Sequence, residues 1–205
     1  ITYLKEQRFP FVLIGKPYMD IEEITHVDND NVRAAKEATE YLIGYGHEKI
    51  GFIGGSAELM VTVDRITGYQ QALKNAGLTI TKEYMIHEEF LREGGQGAVR
   101  ELMALEHPPT ALVVADDFMA LGVLNKLDEL GIKVPDDLSI VSFNNVLLAE
   151  LARPPLTSVD INIFELGYQA SKNLIVMVEN NNEPTKRLII SHRIIERLSC
   201  SKPNQ

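Results

Sequence analysis

Apolar and β-branched residues form four short runs, separated by stretches in which apolar residues recur with the period of a helix. Runs of this composition are typical of strands buried on both faces of a sheet. Because strand and helix alternate along the chain, the pattern predicts an α/β fold with a parallel sheet covered by helices on both faces. The predicted strands are Phe11–Ile14, Ile50–Ile53, Ala111–Ala115 and Ile140–Phe143.

The helices are predicted from apolar stripes and from the residues that start and stop them. The first has a choice of capping residues from Asp28 to Asn31, and it stops at Gly44 or Gly46. The second runs from about Val63 to Asn75, and the last from roughly Ile163 to Asn180. Between these two, a third helix follows Gly94, Gly95 and Gly97 and ends before Pro108, and a fourth opens at Asp117 and stops at Gly131.

The strand–helix rhythm changes after Ile140. Residues from Asn144 to Pro155 are predicted to be a long loop, and the polar run from Asn180 to Pro184 is predicted to be a turn or linker. No internal repeat was found, which argues against a solenoid.

Composition narrows the class of protein. The 205 residues are 45% hydrophobic, enough for a buried core, and the net charge of −9 argues against a nucleic-acid surface on this chain. The start of the chain lacks the zones of a signal peptide and no apolar run is long enough to span a membrane, so a cytoplasmic protein without membrane contact is expected. With Cys200 as the only cysteine, neither an internal disulfide nor a Cys/His metal site is expected.

Catalytic motifs were sought and none was found. The five histidines lie in unrelated contexts, so no triad can be proposed, and we predict neither an enzyme nor a cofactor. The glycines of Gly51–Ser56 follow a strand but fit neither the dinucleotide nor the Walker spacing, so they are interpreted as a sharp turn. His47, just after a helix stop, is interpreted as a polar cap of that helix end.

Three positions near predicted strand ends could contact a ligand. Arg65 could face the strand ends and hold two sugar hydroxyls with its planar fork, or it could form a surface salt bridge with Asp64 or another carboxylate. Asp117 is expected to cap the following helix, which leaves Asp116 to accept hydrogen bonds from a ligand or from water. Phe90 could offer its ring to a sugar or belong to the core.

Five ordered motifs together resemble the effector-binding domain of the LacI/GalR family of bacterial transcription regulators. They are GHEKIGFIGG, RITGYQQAL, ADDFMALG, VPDDLSIVSF and PPLTSVDINIFELG, and the resemblance extends from about Phe9 to about Arg197. It implies a periplasmic-binding-protein-like fold, with two parallel-sheet α/β subdomains joined by three crossovers and closing on a small molecule. No basic helix-turn-helix headpiece, which would read operator DNA, is expected within the chain.

The resemblance also implies subdomain boundaries. Residues 1–27 and 161–187 would form the N-terminal subdomain, which lacks strand and helix units that the family has upstream. Residues 28–160 and 188–200 would form the C-terminal subdomain.

The family's ligand positions correspond to Arg65, Asp116, Phe90 and Asn144, and Lys16 would face the ligand from the opposite subdomain. Lys16 could equally be a solvated loop residue. Family members that bind sugars often have Phe-Asp-Asp where this chain has Phe143-Asn144-Asn145. An amide both donates and accepts, so the pattern of sugar hydroxyls bound is expected to differ.

The combination of Gly15-Lys16-Pro17, Val141–Asn145 and Asp160-Ile161-Asn162 is most similar to maltose operon repressors of Gram-positive bacteria. The implied function is a sugar-sensing domain of a repressor, responsive to maltose or maltodextrin. A homodimer is implied too, with residues 118–130 and 144–153 as candidate contacts. Two alternatives stay open at this point: a sugar-binding protein of a transporter, and an enzyme that uses Asp116, Asp117 and Glu150 on a bound sugar.

Overall fold

The computed structural model describes residues 1–19, 22–180 and 184–204. Most of the run predicted to be a linker, residues 181–183, lies outside these ranges. The chain divides into two units, of which unit 1 comprises Ile1–Asp30 with Asn162–Ser191, and unit 2 comprises Asn31–Ile161 with His192–Gln205. The chain thus passes between the units at residues 30/31, 161/162 and 191/192, where the sequence had suggested 27/28, 160/161 and 187/188.

Unit 1 contains a three-stranded parallel sheet. Its strands are β1 (Leu13–Ile14), β2 (His26–Asn29) and β8 (Arg187–Ile190), with β2 in the centre. The helix α7 (Ile163–Glu179) packs against all three strands, and the short α1 (Thr2–Glu6) opens the chain.

Unit 2 contains a six-stranded sheet. The strands are β3 (Ile50–Gly54), β4 (Met85–His87), β5 (Ala111–Val114), β6 (Ser139–Phe143), β7 (Thr157–Asp160) and β9 (Arg193–Ile195). They lie in the order β4-β3-β5-β6-β7-β9, where five strands are parallel and β9 pairs antiparallel with β7. The parallel α/β architecture predicted from the sequence is therefore confirmed.

Alternate residues of the buried strands point to opposite faces of this sheet, as strand geometry requires. Phe52 and Val113 belong to one hydrophobic cluster, whereas Ile53 and Leu112 belong to the other. The first cluster is covered by α2 and α3 and the second by α4 and α5. The helices of unit 2 are α2 (Asn31–Gly44), α3 (Met60–Asn75), α4 (Arg92–Met103), α5 (Asp117–Leu130) and α6 (Leu147–Leu151).

Two sequence predictions about these helices were wrong. Gly94, Gly95 and Gly97 lie inside α4 instead of preceding it, because the backbones of α4 and α5 approach closely. A Cβ on Gly95 would lie 2.1 Å from the carbonyl oxygen of Met119. The predicted loop after Asn144 contains the short helix α6.

The His47 side chain belongs to a polar network at the amino ends of the strands, not to a cap of α2. Its Nδ1 lies 2.9 Å from Thr110 Oγ1, and its Nε2 lies 3.0 Å from Ser139 Oγ and 2.9 Å from the carbonyl oxygen of Ser201. Because a carbonyl can only accept, Nε2 carries the proton of the neutral ring. Burial lowers the pKa of His47, and the bond to Ser201 opposes that shift.

No helix in the described ranges combines the length and apolarity needed to cross a lipid bilayer.

Candidate functional site

Polar side chains follow two neighbouring strands of unit 2 at their carboxyl ends. Asp116 comes two residues after β5, and Asn144 directly follows β6. In open parallel sheets the carboxyl edge is where ligands bind. We call this part of unit 2 the carboxyl-edge site and define it by Arg65, Phe90, Asp116, Phe143 and Asn144.

Arg65 is buried in the second turn of α3, with 4% of its surface exposed. Its Nη1 donates to the carbonyl oxygen of Ala115 at 2.6 Å, and its Nε donates to Asn31 Oδ1 at 3.0 Å. The guanidinium carbon lies 4.1 Å from the centre of the Phe143 ring. A cation stacked on a ring and held by a backbone carbonyl has a fixed orientation. A surface salt bridge, the alternative considered from the sequence, does not fit this burial.

Asp116 is the residue that caps α5. Its Oδ1 accepts from the backbone N–H of Phe118 at 2.7 Å and of Met119 at 3.0 Å, while its Oδ2 accepts from Asn144 Nδ2 at 2.7 Å. The prediction that Asp117 would be the cap was wrong. A capping residue needs extended backbone, which Asp116 has at φ −159° and ψ 141°, whereas Asp117 is already helical.

Asp117 points the other way, into the sheet, and is fully buried. Its carboxylate accepts from the hydroxyls of Ser142 and Ser158 and from the backbone N–H of Val146. Burial raises the pKa of Asp117, although these three hydrogen bonds act against the shift. Asp117 therefore links β6, β7 and the loop that follows β6, and it is not available to a ligand.

Asn144 and Asn145 both have positive φ, at 97° and 52°. Asparagine tolerates this left-handed region better than most residues, which fits the Asn-Asn pair at a sharp turn out of a buried strand. Arg197 Nη2 donates to Asn145 Oδ1 at 2.7 Å, so only the first amide is directed to Asp116.

The Phe90 ring is half-buried and packs against both hydrophobic clusters. It lies directly on Gly55, where an added Cβ would be 2.2 Å from the ring. Glycine is thus required here for close approach, since the φ of Gly55 is not positive. The core alternative considered for Phe90 agrees with these contacts, and a contact between its ring and a sugar stays a prediction.

Lys16 lies two residues after β1, in unit 1. The expectation that it contacts the ligand stays a prediction.

The sequence analysis missed three residues of this region: Asn31, Phe143 and Ser142. A serine within the apolar run Val141–Phe143 was the one available indication of a buried polar contact. The partners of Arg65 could not be inferred, because they come from α2, β6 and the end of β5.

The site does not have the composition of a metal centre. In the part of the chain that the structure describes, no three His, Cys, Asp or Glu side chains are grouped so that they could hold a metal ion. What the site offers is a fixed cation, a carboxylate, an amide and an aromatic ring, a set suited to hydroxyl groups on a ring-shaped ligand.

The chain is similar to one protein-family model and to several bacterial transcription regulators. Residues 39–200 match the model of the periplasmic binding protein-like domain family. The transcriptional regulator MalR of Streptococcus pneumoniae is 37% identical over 205 aligned positions, which cover 96% of this chain and 58% of MalR. The transcriptional repressor CytR of Escherichia coli K12 is 35% identical over 180 residues, which cover 87% of this chain and 53% of CytR. The chain therefore spans little more than half the length of these relatives.

Solved structures of transcription regulators are also similar to this chain. A LacI transcriptional regulator from Bacillus cereus subsp. cytotoxis superposes with a TM-score of 0.96 at 54% identity, covering 99% of this chain and 72% of that one. A complex of the regulator CelR with cellobiose superposes with a TM-score of 0.91 at 30% identity, covering 96% and 60%.

Proposed function

Because the chain belongs to the LacI family of transcriptional regulators and carries its periplasmic-binding-protein-like domain, we propose that it is the sugar-sensing part of a repressor. Sugar binding at the carboxyl-edge site shifts an equilibrium between conformations of the whole regulator and so changes its affinity for operator DNA. A DNA-binding headpiece elsewhere in the gene product makes the DNA contact.

The observation that carries the proposal is the pairing of Asp116 with Asn144 beside the buried Arg65. Asp116 accepts three hydrogen bonds, and a carboxylate has about four acceptor positions. One position is thus available to a ligand hydroxyl. Arg65 supplies a cation that only donates hydrogen bonds, and the amide of Asn144 both donates and accepts them. Together with Asp116, these side chains match sugar hydroxyls, which also donate and accept.

The class of sugar proposed is a glucose oligosaccharide, with maltose or a maltodextrin as the preferred ligand. Support comes from the resemblance of Phe143-Asn144-Asn145 and its neighbours to maltose operon repressors. The related CelR was solved with cellobiose, another glucose disaccharide.

Asp116→Asn in the full-length gene product tests the site. Asparagine caps helices about as well as aspartate, so the fold should be retained while the charged acceptor is lost. We expect maltose affinity, measured by isothermal titration calorimetry, to fall at least about tenfold. Asp128→Asn is the matched control, because this exposed carboxylate lies on the same helix and away from the strand ends.

Each arm of this titration has a clear meaning. Equal maltose affinity in wild type and Asp116→Asn would remove the carboxyl-edge site from the proposal. Absence of binding by wild type with maltose, maltotriose and cellobiose would contradict the sugar-sensing function itself. Operator binding, followed by fluorescence anisotropy with and without maltose, tests the coupling to DNA.

We also propose that the regulator is a homodimer and that α6 lies at the contact. Leu147, Leu148 and Leu151 are exposed on this short helix, and apolar side chains grouped on a surface indicate an interface. Leu147→Glu is expected to convert the dimer to a monomer in analytical ultracentrifugation. Leu198→Glu is the matched control, since Leu198 is 65% exposed and Leu147 is 67% exposed. A dimer that persists in Leu147→Glu would exclude α6 from the contact.

A further inference from the structure

The hydroxyl of Thr62 is a buried polar group without a hydrogen-bond partner. Thr62 is 0% exposed, and its Oγ1 is the only buried side-chain nitrogen or oxygen in residues 1–19, 22–180 and 184–204 that lacks a partner. An unsatisfied buried hydroxyl costs free energy that a valine of the same shape would avoid. Such groups are rare in native proteins, and each one requires an explanation.

The position of Thr62 connects it with the carboxyl-edge site. It lies in the first turn of α3, three residues before Arg65, and residues three apart are neighbours on a helix surface. Its Cγ2 lies 3.3 Å from the place of an added Cβ on Gly54, the last residue of β3. The Thr62 side chain is therefore at the carboxyl end of the sheet, one helical turn from Arg65.

The start of α3 lacks a side-chain cap. Its N-cap residue, Leu59, makes no side-chain capping bond and is exposed. The first turn is held by the backbone bonds from Thr62 and Val63 to the Leu59 carbonyl oxygen, at 2.9 and 3.1 Å. A helix end without a side-chain cap opens at lower cost than one that is capped. A small opening of this turn would uncover the Thr62 hydroxyl beside the site.

We propose that Thr62 is a sugar-binding residue, whose hydroxyl pairs with a ligand hydroxyl in the bound state. The proposal rests on the sugar-sensing function proposed above. Arg65 can only donate and the Asp116 carboxylate can only accept, whereas a threonine hydroxyl does both. It can therefore pair with a sugar hydroxyl either as donor or as acceptor. In this proposal, the unsatisfied hydroxyl lowers the stability of the free protein and raises its affinity for the sugar.

The test is Thr62→Val in the full-length gene product, with maltose and cellobiose as probes. Valine keeps the shape and removes the hydroxyl. We expect the urea midpoint of the free protein to stay the same or rise, and the affinity for the bound sugar to fall about fivefold to tenfold. Thr62→Ser retains a hydroxyl and is expected to keep the affinity within about threefold. Thr67→Val is the control for the same substitution on the same helix, at an exposed residue that bonds only to the Val63 carbonyl oxygen.

The outcomes separate this proposal from the one on which it rests. If wild type and Thr62→Val bind the sugar equally well, the role of Thr62 is overturned and the sugar-sensing function stands. If the unfolding midpoint of Thr62→Val falls, the hydroxyl has a partner in the free protein, and the proposal is overturned on that ground. If neither sugar binds wild type, both proposals fall together.

Discussion

The two ends of the six-stranded sheet both carry buried polar networks, but the networks differ in charge. At the amino ends, the neutral His47 joins Thr110, Ser139 and Ser201. At the carboxyl ends the groups are charged: the Asp117 carboxylate lies inside the sheet, and Arg65 and Asp116 lie beside it. A neutral network whose members satisfy one another adds stability and uniqueness to a core. Buried charges are costly, and those of Arg65 and Asp117 lie at the carboxyl end, where the sugar site is proposed.

The two networks also predict opposite responses to pH. The pKa of His47 is lowered by burial, so its contribution to stability is present above its unfolded pKa, about 6.5, and is lost as the pH falls through the folded pKa. The pKa of Asp117 is raised by burial. Its contribution is therefore fully present below its unfolded pKa, about 3.9, and is lost as the pH rises through the folded pKa.

Removing the carboxylate of Asp117 is expected to have the largest effect on stability. Asp117→Ala leaves one backbone N–H and two serine hydroxyls without their acceptor, which should lower the free energy of unfolding by about 3 kcal/mol. Urea denaturation followed by circular dichroism measures this change. A loss below about 1 kcal/mol would mean that the cost of burying the carboxylate cancels its three hydrogen bonds.

The titration of His47 is expected to change the free energy of unfolding by a smaller amount, and only at acid pH. Below about pH 6.5 the unfolded chain takes up a proton that the folded chain does not, so stability falls by up to about 1.4 kcal/mol per pH unit. The measurement is the urea midpoint of wild type and His47→Gln at intervals from pH 7.5 to 5.5. The difference between the two curves isolates this residue, and parallel curves would show that His47 does not titrate with unfolding.

Asp116→Asn, already chosen for its effect on sugar affinity, should have the smallest effect on stability. The cap of α5 is retained by the amide oxygen, but the hydrogen bond that Oδ2 accepts from Asn144 is lost, so the free energy of unfolding should fall by about 1 kcal/mol at most. Together with Asp117→Ala this compares two adjacent residues, one with a structural role and one proposed to bind the ligand. Comparable losses of stability in both variants would remove that distinction.

Much of the fold followed from local pattern. The sequence predicts the apolar runs of β3, β5 and β6 and the helix stops at Gly44 and Gly131. Each of these features depends only on the residues of one short segment of the chain. Short strands such as β2, with the polar sequence of His26–Asn29, carry no such pattern and were missed. Their pairing depends on neighbours more than 150 residues away in β8.

The position of the carboxyl-edge site could be predicted from the sequence, but most of its contacts could not. Arg65, Asp116, Phe90 and Asn144 were selected from the sequence, and all four lie in unit 2 at or beside the carboxyl end of the sheet. Which of two adjacent aspartates caps α5 depends on the backbone angles of one residue, and no composition rule decides that. The stacking of Arg65 on Phe143 joins residues 78 positions apart, and only the tertiary structure brings them together.

The tail that follows β9 supplies Ser199 and Ser201 to the interior of unit 2. Ser199 Oγ donates to the carbonyl oxygen of Ile140 at 2.6 Å and accepts from the backbone N–H of Thr157 at 2.8 Å. These serines are synthesised after α7 and β8, which belong to the other unit. During translation, unit 2 therefore cannot complete its core until the ribosome has also made the second part of unit 1.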